Sequence, residues 1–327
     1  MKKNKIVLGL IAILVVTVLL TGCGGGKTTT TAPVGGSVWP SSGIVFIRDQ
    51  TDIWVMNTDG SNPRELLSSE YYIYSPSSSP DGSKIVFLQY SQGIGVLSKS
   101  GEKIIMSYDL EAWDQGNYVT WSHDGRIYFT GQNAQGYFIY SVNADGTGKV
   151  QVSPTYDDPN FGAADPQDYH PSVSPDGSTL LFSTNRDGGG GPIAKMNIGS
   201  GSITYLTYAG PIGIMGGIIW DARYPTWSPD GTKIAFVARF GDEEKRGIYL
   251  MNADGTGKVR IAIDPEADCS WPSWSPDGSK IVFQKDYPGF SYNTEIWIMN
   301  ADGSGAKAIT DRNVTLDTVP SFIKKPF

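Results

Sequence analysis

TWSPDGTKIAF, residues 226–236, is the stretch from which the architecture can be read. Pro229 presets φ for the second position of a tight turn, Asp230 can bond its own backbone, and Gly231 takes a left-handed conformation that most side chains resist. Beyond the turn, Lys233 to Phe236 read as a strand, so the phrase is strand, turn, strand. It recurs as SSSPDGSKIVF (77–87), TWSHDGRIYF (120–129), SVSPDGSTLLF (172–182) and SWSPDGSKIVF (273–283). The turn aspartates Asp81, Asp124, Asp176, Asp230 and Asp277 are spaced 43, 52, 54 and 47 residues apart. A second phrase follows each copy, as in IYSVNADGTGKVQV (139–152), IYLMNADGTGKVRI (248–261) and IWIMNADGSGAKAI (296–309), with IWVMNTDGSNPREL (53–66) standing ahead of the first. It too is a hairpin, turned at Asn-Ala-Asp-Gly. Two hairpins per period make a four-stranded unit, and the sparsity of polar residues in Lys280–Phe283 and Ile296–Met299 predicts strands covered on both faces.

A repeat of 40 to 55 residues built from four short strands predicts an all-β, six-bladed β-propeller of four-stranded antiparallel blades. Gly43 to Leu67 hold the later strands of a blade without its opening strand, and Val319-Pro320-Ser321-Phe322-Ile323 reads as that opening strand with nothing after it. Pairing the C-terminal strand with the N-terminal blade completes the sixth blade and removes exposed sheet edges. The repeats resemble the WD40-like (PD40) propeller repeats of the TolB type, marked by x-P-x-W-S-P-D-G, a strand and then N-x-D-G, over roughly residues 43–327.

Three segments are expected. Residues 1–22 read as a signal peptide: Lys2, Lys3 and Lys5 precede an apolar run, Ile6 to Leu20, too short for the roughly 20 residues of a spanning helix. Leu20-Thr21-Gly22-Cys23 resembles the bacterial lipobox, which implies that Cys23 is acylated and anchors the chain to a membrane. Residues 23–42, rich in Gly, Thr, Pro and Ser, read as a flexible tether that stands the body off that membrane, and residues 43–327 as the propeller. With Cys23 acylated only Cys269 remains, so no intramolecular disulfide forms and Cys269 is expected to be inert. The net charge of −7 becomes −10 without the leader's three lysines, and no basic run interleaved with aromatics occurs, which excludes nucleic acid as a partner.

In a propeller, SPDG and NADG turns share one face, and the longer, unlike loops share the other, among them 130–137, 184–193, 238–247 and 284–294. Binding is expected on the variable face. Aligning the repeats places Ser75, Tyr118, His170, Tyr224, Trp271 and Val319 at one level of the channel mouth, with Asp114, Asp168, Asp221, Asp268 and Asp317 behind them and Arg223 the only strong base nearby. We expect Tyr118, His170, Tyr224, Trp271, Arg223, Asp168, Asp221 and Asp268 to contact a protein, peptide or glycan of the cell envelope. The bland reading is that these aromatics pack on loops and the aspartates cap turns. No cofactor is expected, and a metal ion in the acidic funnel is the exception to be tested. No catalytic residue is assigned; the alternative is a propeller polysaccharide lyase or hydrolase working through the acidic residues and His170. The protein is expected to be an exported, lipid-anchored monomer of the cell envelope.

Overall fold

The computed structural model describes residues 27–31, 39–40, 42–106, 118–155, 167–186, 191–207, 219–241, 244–289, 293–313 and 315–324. The leader, Cys23 and Asp114 lie outside them. Strand β1 (Lys27–Thr31) is followed by β2 (Ile44–Arg48), β3 (Asp52–Met56) and β4 (Arg64–Leu67). The first complete blade comprises β5 (Ile73–Ser78), β6 (Lys84–Gln89), β7 (Gly93–Ser98) and β8 (Glu102–Met106). The second is β9 (Val119–Trp121), β10 (Arg126–Asn133), β11 (Gly136–Asn143) and β12 (Val150–Gln151). The third is β13 (Asp168–Val173), β14 (Thr179–Thr184), β15 (Ile193–Asn197) and β16 (Ile203–Tyr205). The fourth is β17 (Ile219–Trp227), β18 (Lys233–Phe240), β19 (Gly247–Asn252) and β20 (Val259–Ala262). The fifth is β21 (Asp268–Trp274), β22 (Lys280–Asp286), β23 (Thr294–Asn300) and β24 (Lys307–Ala308), and the chain ends on β25 (Asp317–Phe322).

Six antiparallel sheets result, four of them ordered along the chain from an inner to an outer strand, the first complete blade carrying β1 outside β8. The sixth has the order β25-β2-β3-β4, with Ile44 opposite Phe322 and Arg48 opposite Asp317. The ring is therefore closed by the last strand pairing with the first blade segment, as the sequence predicts. Neighbouring inner strands touch in succession, including β25 with β5 across the closure.

Packing lies between blades. Phe46, Phe87, Phe129, Phe182, Phe236 and Phe283, one from the second strand of each blade, are fully buried. Tyr128 and Ile139 of the second blade pack with Leu180, Phe182 and Met196 of the third in one apolar cluster. Burying each such side chain contributes roughly 1.5–3 kcal/mol, and with Cys269 a free thiol this packing carries the fold.

The turns work as their residues suggest. In the fifth blade Ser275 Oγ donates to Asp277 Oδ1 at 2.6 Å and accepts from the Lys280 amide at 2.9 Å, while the Ser279 amide donates to Asp277 Oδ1 at 3.0 Å. These bonds hold the Asp277 carboxyl down at about 2, and the equivalent Asp81 likewise at about 2.

The segment expected as a flexible tether contains two ordered pieces. Lys27–Thr31 pairs antiparallel with β8, making the first blade five-stranded, and Trp39, 6% exposed, joins the apolar cluster of Val45, Ile53, Phe87 and Ile323. Threonine suits a strand because its branched Cβ fits a pleated surface, and β8, with five residues, offers an edge long enough to pair.

Candidate functional site

In five blades the inner strand bulges at its x-Pro pair. Ser75-Pro76, His170-Pro171, Tyr224-Pro225, Trp271-Pro272 and Val319-Pro320 each stand where the next strand has a single residue, Phe87, Phe182, Phe236, Phe283 or Phe46. The first residue of every pair is left-handed, with φ between 49° and 56°. Such a conformation costs a non-glycine residue about 1–3 kcal/mol. Val319, being β-branched, tolerates it least. An extra residue re-aims its side chain, and here the bulges direct side chains from different blades toward the axis.

Three of those side chains are rings, and they meet Tyr118, the equivalent residue of the unbulged second blade. Tyr224 lies 4.3 Å from His170 and 4.3 Å from Trp271 between centroids, and Tyr118 stacks on Trp271 at 5.7 Å with 19° between planes. Tyr118 and Trp271 come from the second and fifth blades, which face each other across the ring. Their contact crosses the channel, so the aromatics form a plug. His170 is buried, and its Nδ1 lies 3.2 Å from Ser183 Oγ. Burial pushes the Tyr118 phenol up to about 12 and raises that of Tyr224, which keeps both neutral.

On the variable-loop side of the plug, the aspartates are each joined to arginine. Asp168, fully buried, accepts from Arg186 Nε at 2.8 Å and Nη2 at 2.6 Å, and Arg186 also donates to the Pro154 carbonyl at 2.7 Å. Asp317 accepts from Arg48 Nε at 2.7 Å and Nη2 at 2.9 Å. Asp221 takes Arg223 Nε at 2.6 Å and Arg246 Nη2 at 2.7 Å, with Arg239 Nε at 3.9 Å. Arg246 reaches Asp268 at 3.8 Å through its side chain, and its amide donates to Asp268 at 2.6 Å. Asp286 sits beside them, its carboxyl raised by burial while Ser270 and Gln284 donate to it.

The expectation that Arg223 is the only strong base in this set is therefore corrected. Arg48, Arg186, Arg239 and Arg246 join it because the fold brings the ends of second strands and their following loops over the starts of inner strands. The register of the closing pair, β2 against β25, carries the missed signal: Arg48 stands directly opposite Asp317. Among the described residues no group of three His, Cys, Asp or Glu side chains converges closely enough to hold a metal ion. Tyr118, His170, Tyr224 and Trp271 form one cluster, Asp221, Arg223 and Asp268 a second, and Asp168 lies apart in its own pair.

Below the plug, on the side of the SPDG turns, the channel widens into a cavity of about 340 Å³ whose wall includes Tyr118, Trp227, Trp274 and, toward the turns, Pro229, Asp277 and Lys324.

A closed ring of six four-stranded blades with a plugged axial channel defines a six-bladed β-propeller. Residues 220–325 match the family model of the TolB beta propeller domain, PD40, so the resemblance carried by the repeats is upheld there. Among solved structures, TolB from Acinetobacter baumannii superposes with a TM-score of 0.68 at 21% identity, over 87% of this chain and 67% of that one. A putative TolB from Agrobacterium tumefaciens gives 0.61 at 21% identity, over 83% and 88%. A chain of a nidogen/laminin complex gives 0.63 at 14%, over 88% and 100%. At these identities the superpositions establish the shared fold.

Proposed function

We propose that this chain is a non-catalytic binding propeller of the cell envelope, held to a membrane by lipid on Cys23, which captures an envelope protein, peptide or glycan on its variable-loop face. The observation that carries the reading is the Asp221–Arg223–Arg246–Asp268 network, where side chains 16–30% exposed present both charges beside Tyr224, whose ring packs on Trp271. Salt-bridged pairs held in place by one another are preorganised to exchange partners with a charged or amphoteric surface. The TolB-like fold supports a role in protein binding, and the lipobox-like Leu20–Cys23 supports the anchor.

The lyase or hydrolase reading is weakened by the state of its residues. A general base needs a free lone pair within reach of substrate. Asp168 is buried under Arg186, and His170 is buried among rings. Capture from a native envelope extract should be lost in the Arg223→Ala, Arg246→Ala double variant at unchanged melting temperature. Retained capture moves the site elsewhere, and turnover of any glycan or peptide in a substrate panel overturns the non-catalytic reading. Incorporation of labelled fatty acid, abolished by Cys23→Ser, tests the anchor.

A further inference from the structure

The third position of the x-P-x-W phrase, counted by alignment even where its proline or tryptophan is replaced, is Ser77, Thr120, Ser172, Thr226, Ser273 and Ser321, a hydroxyl from every blade. All six line the cavity on the SPDG side of the plug. Some of these hydroxyls also hold the ring together: Ser172 Oγ accepts from the Trp227 amide at 3.4 Å and Ser273 Oγ from the Phe322 amide at 3.3 Å, each in the next blade. An oxygen that accepts this way still has its proton to give. The side-chain hydroxyls of Ser77, Thr226 and Ser321 bond no other described group and are not sealed from the cavity.

Apart from His123 and the turn serines Ser174 and Ser228, the uncharged remainder of the wall is mostly apolar ring and proline surface. Tyr118 lies at the floor, Trp121, Trp227 and Trp274 lie in the wall, and Pro175, Pro229 and Pro276 lie toward the turns. Among the described residues the acidic and basic side chains of the lining are Asp277 and Lys324, with His123 in an SPDG-type turn, all toward the SPDG-side opening, and the Asp277 carboxylate is already taken by Ser275 and Ser279. A charged group carried deeper would lose water without gaining a counter-charge. A volume of about 340 Å³ lies in the range of preformed small-molecule sites.

We propose that this end of the channel is a second binding site, separate from the variable face, for a neutral polyhydroxylated ligand of one or two sugar rings. The hydroxyl ring both donates and accepts, which matches the hydroxyls of a sugar. The tryptophan and proline surfaces match its C–H faces.

The site can be tested on the folded chain by titrating glucose, N-acetylglucosamine, cellobiose, diacetylchitobiose and glucuronate, followed by tryptophan fluorescence and calorimetry. Saturable binding of at least one neutral sugar is expected. Thr226→Val with Ser321→Ala should weaken it about tenfold, the worth of two neutral hydrogen bonds. Because those two hydroxyls bond no group among the described residues, the melting temperature should stay unchanged. Binding of disaccharides alone identifies a glycan chain end as the occupant, whereas binding of monosaccharides identifies a free sugar. The proposal is overturned by the absence of saturable binding with every neutral probe, by binding of glucuronate alone, or by undiminished affinity in the double variant. The Arg223→Ala, Arg246→Ala protein should bind the sugars normally, so failure of the variable-face reading and failure of this one are distinguishable.

Discussion

At the scale of single residues, the repeated turn couples a carboxylate to stability. Asp81 and Asp277 titrate at about 2 in the folded protein against 3.8 for a free aspartate, because hydroxyl and amide donors favour the ionised form. A depressed folded-state value means the stabilisation is complete above about 4 and is lost as pH falls toward 2. Denaturant midpoints measured across this window should fall for the wild type and fall less for Asp277→Asn. Glycine requirements divide by what lies nearby. Gly303 has φ +88°, and an added Cβ would stand 2.4 Å from the Ile261 carbonyl of the neighbouring blade; Gly125 has φ +81° with nothing within 4 Å. Gly125→Ala should cost about 1 kcal/mol, from backbone strain alone, and Gly303→Ala about 2 kcal/mol or more by chemical denaturation. Cys269 is buried, and desolvation pushes its thiol up to about 12. A thiol reagent should label it only after unfolding, and rapid native labelling would refute its burial.

At the scale of elements, the inner strand is where sequence and structure diverge most usefully. The hairpins were legible because Ser-Pro-Asp-Gly and Asn-Ala-Asp-Gly each encode a local conformation. The bulge at x-Pro was not, since a residue before proline is normally steered to extended backbone. Here cross-strand pairing on both sides of Ser75, His170, Tyr224, Trp271 and Val319 overrides that preference. Asparagine tolerates the left-handed region better than valine does. Val319→Asn should therefore leave thermal stability unchanged or raised, and a fall of more than about 1 kcal/mol would show that packing of the isopropyl group outweighs the strain. The pairing of Lys27–Thr31 with β8 was likewise invisible, because a threonine run carries no signal naming its partner. Consecutive residues of a strand point their amides to opposite sides, so Thr29→Pro with Thr30→Pro removes one ladder bond whichever amide faces β8. Amide exchange of Glu102 to Met106 should then accelerate while other blades stay protected.

At the scale of the whole molecule, closure decides stability. Removing residues 317–327 takes β25 from the sixth sheet and leaves β2 with a bare edge. The truncated chain should aggregate and lose its single cooperative transition in calorimetry. The count of blades, their four-stranded make-up and the joining of chain ends were readable in advance, because turn chemistry and spacing are local properties that the sequence states directly. The level at which Tyr118, His170, Tyr224 and Trp271 sit was also readable, by aligning repeats. That they meet across the axis was not, nor that Arg186 and Arg246 neutralise the neighbouring aspartates, nor that six hydroxyls share one wall. The plug and the hydroxyl wall are distances between blades, set by the curvature of the closed ring, and the ion pairs depend on strand register and on where the following loops turn. Period and turn type, which rest on neighbours along the chain, were determined by the sequence alone. The plug and the cavity were decided only by tertiary structure, because they depend on how far apart six sheets stand once their buried phenylalanines have packed; the ion pairs within a blade were decided by its pairing register.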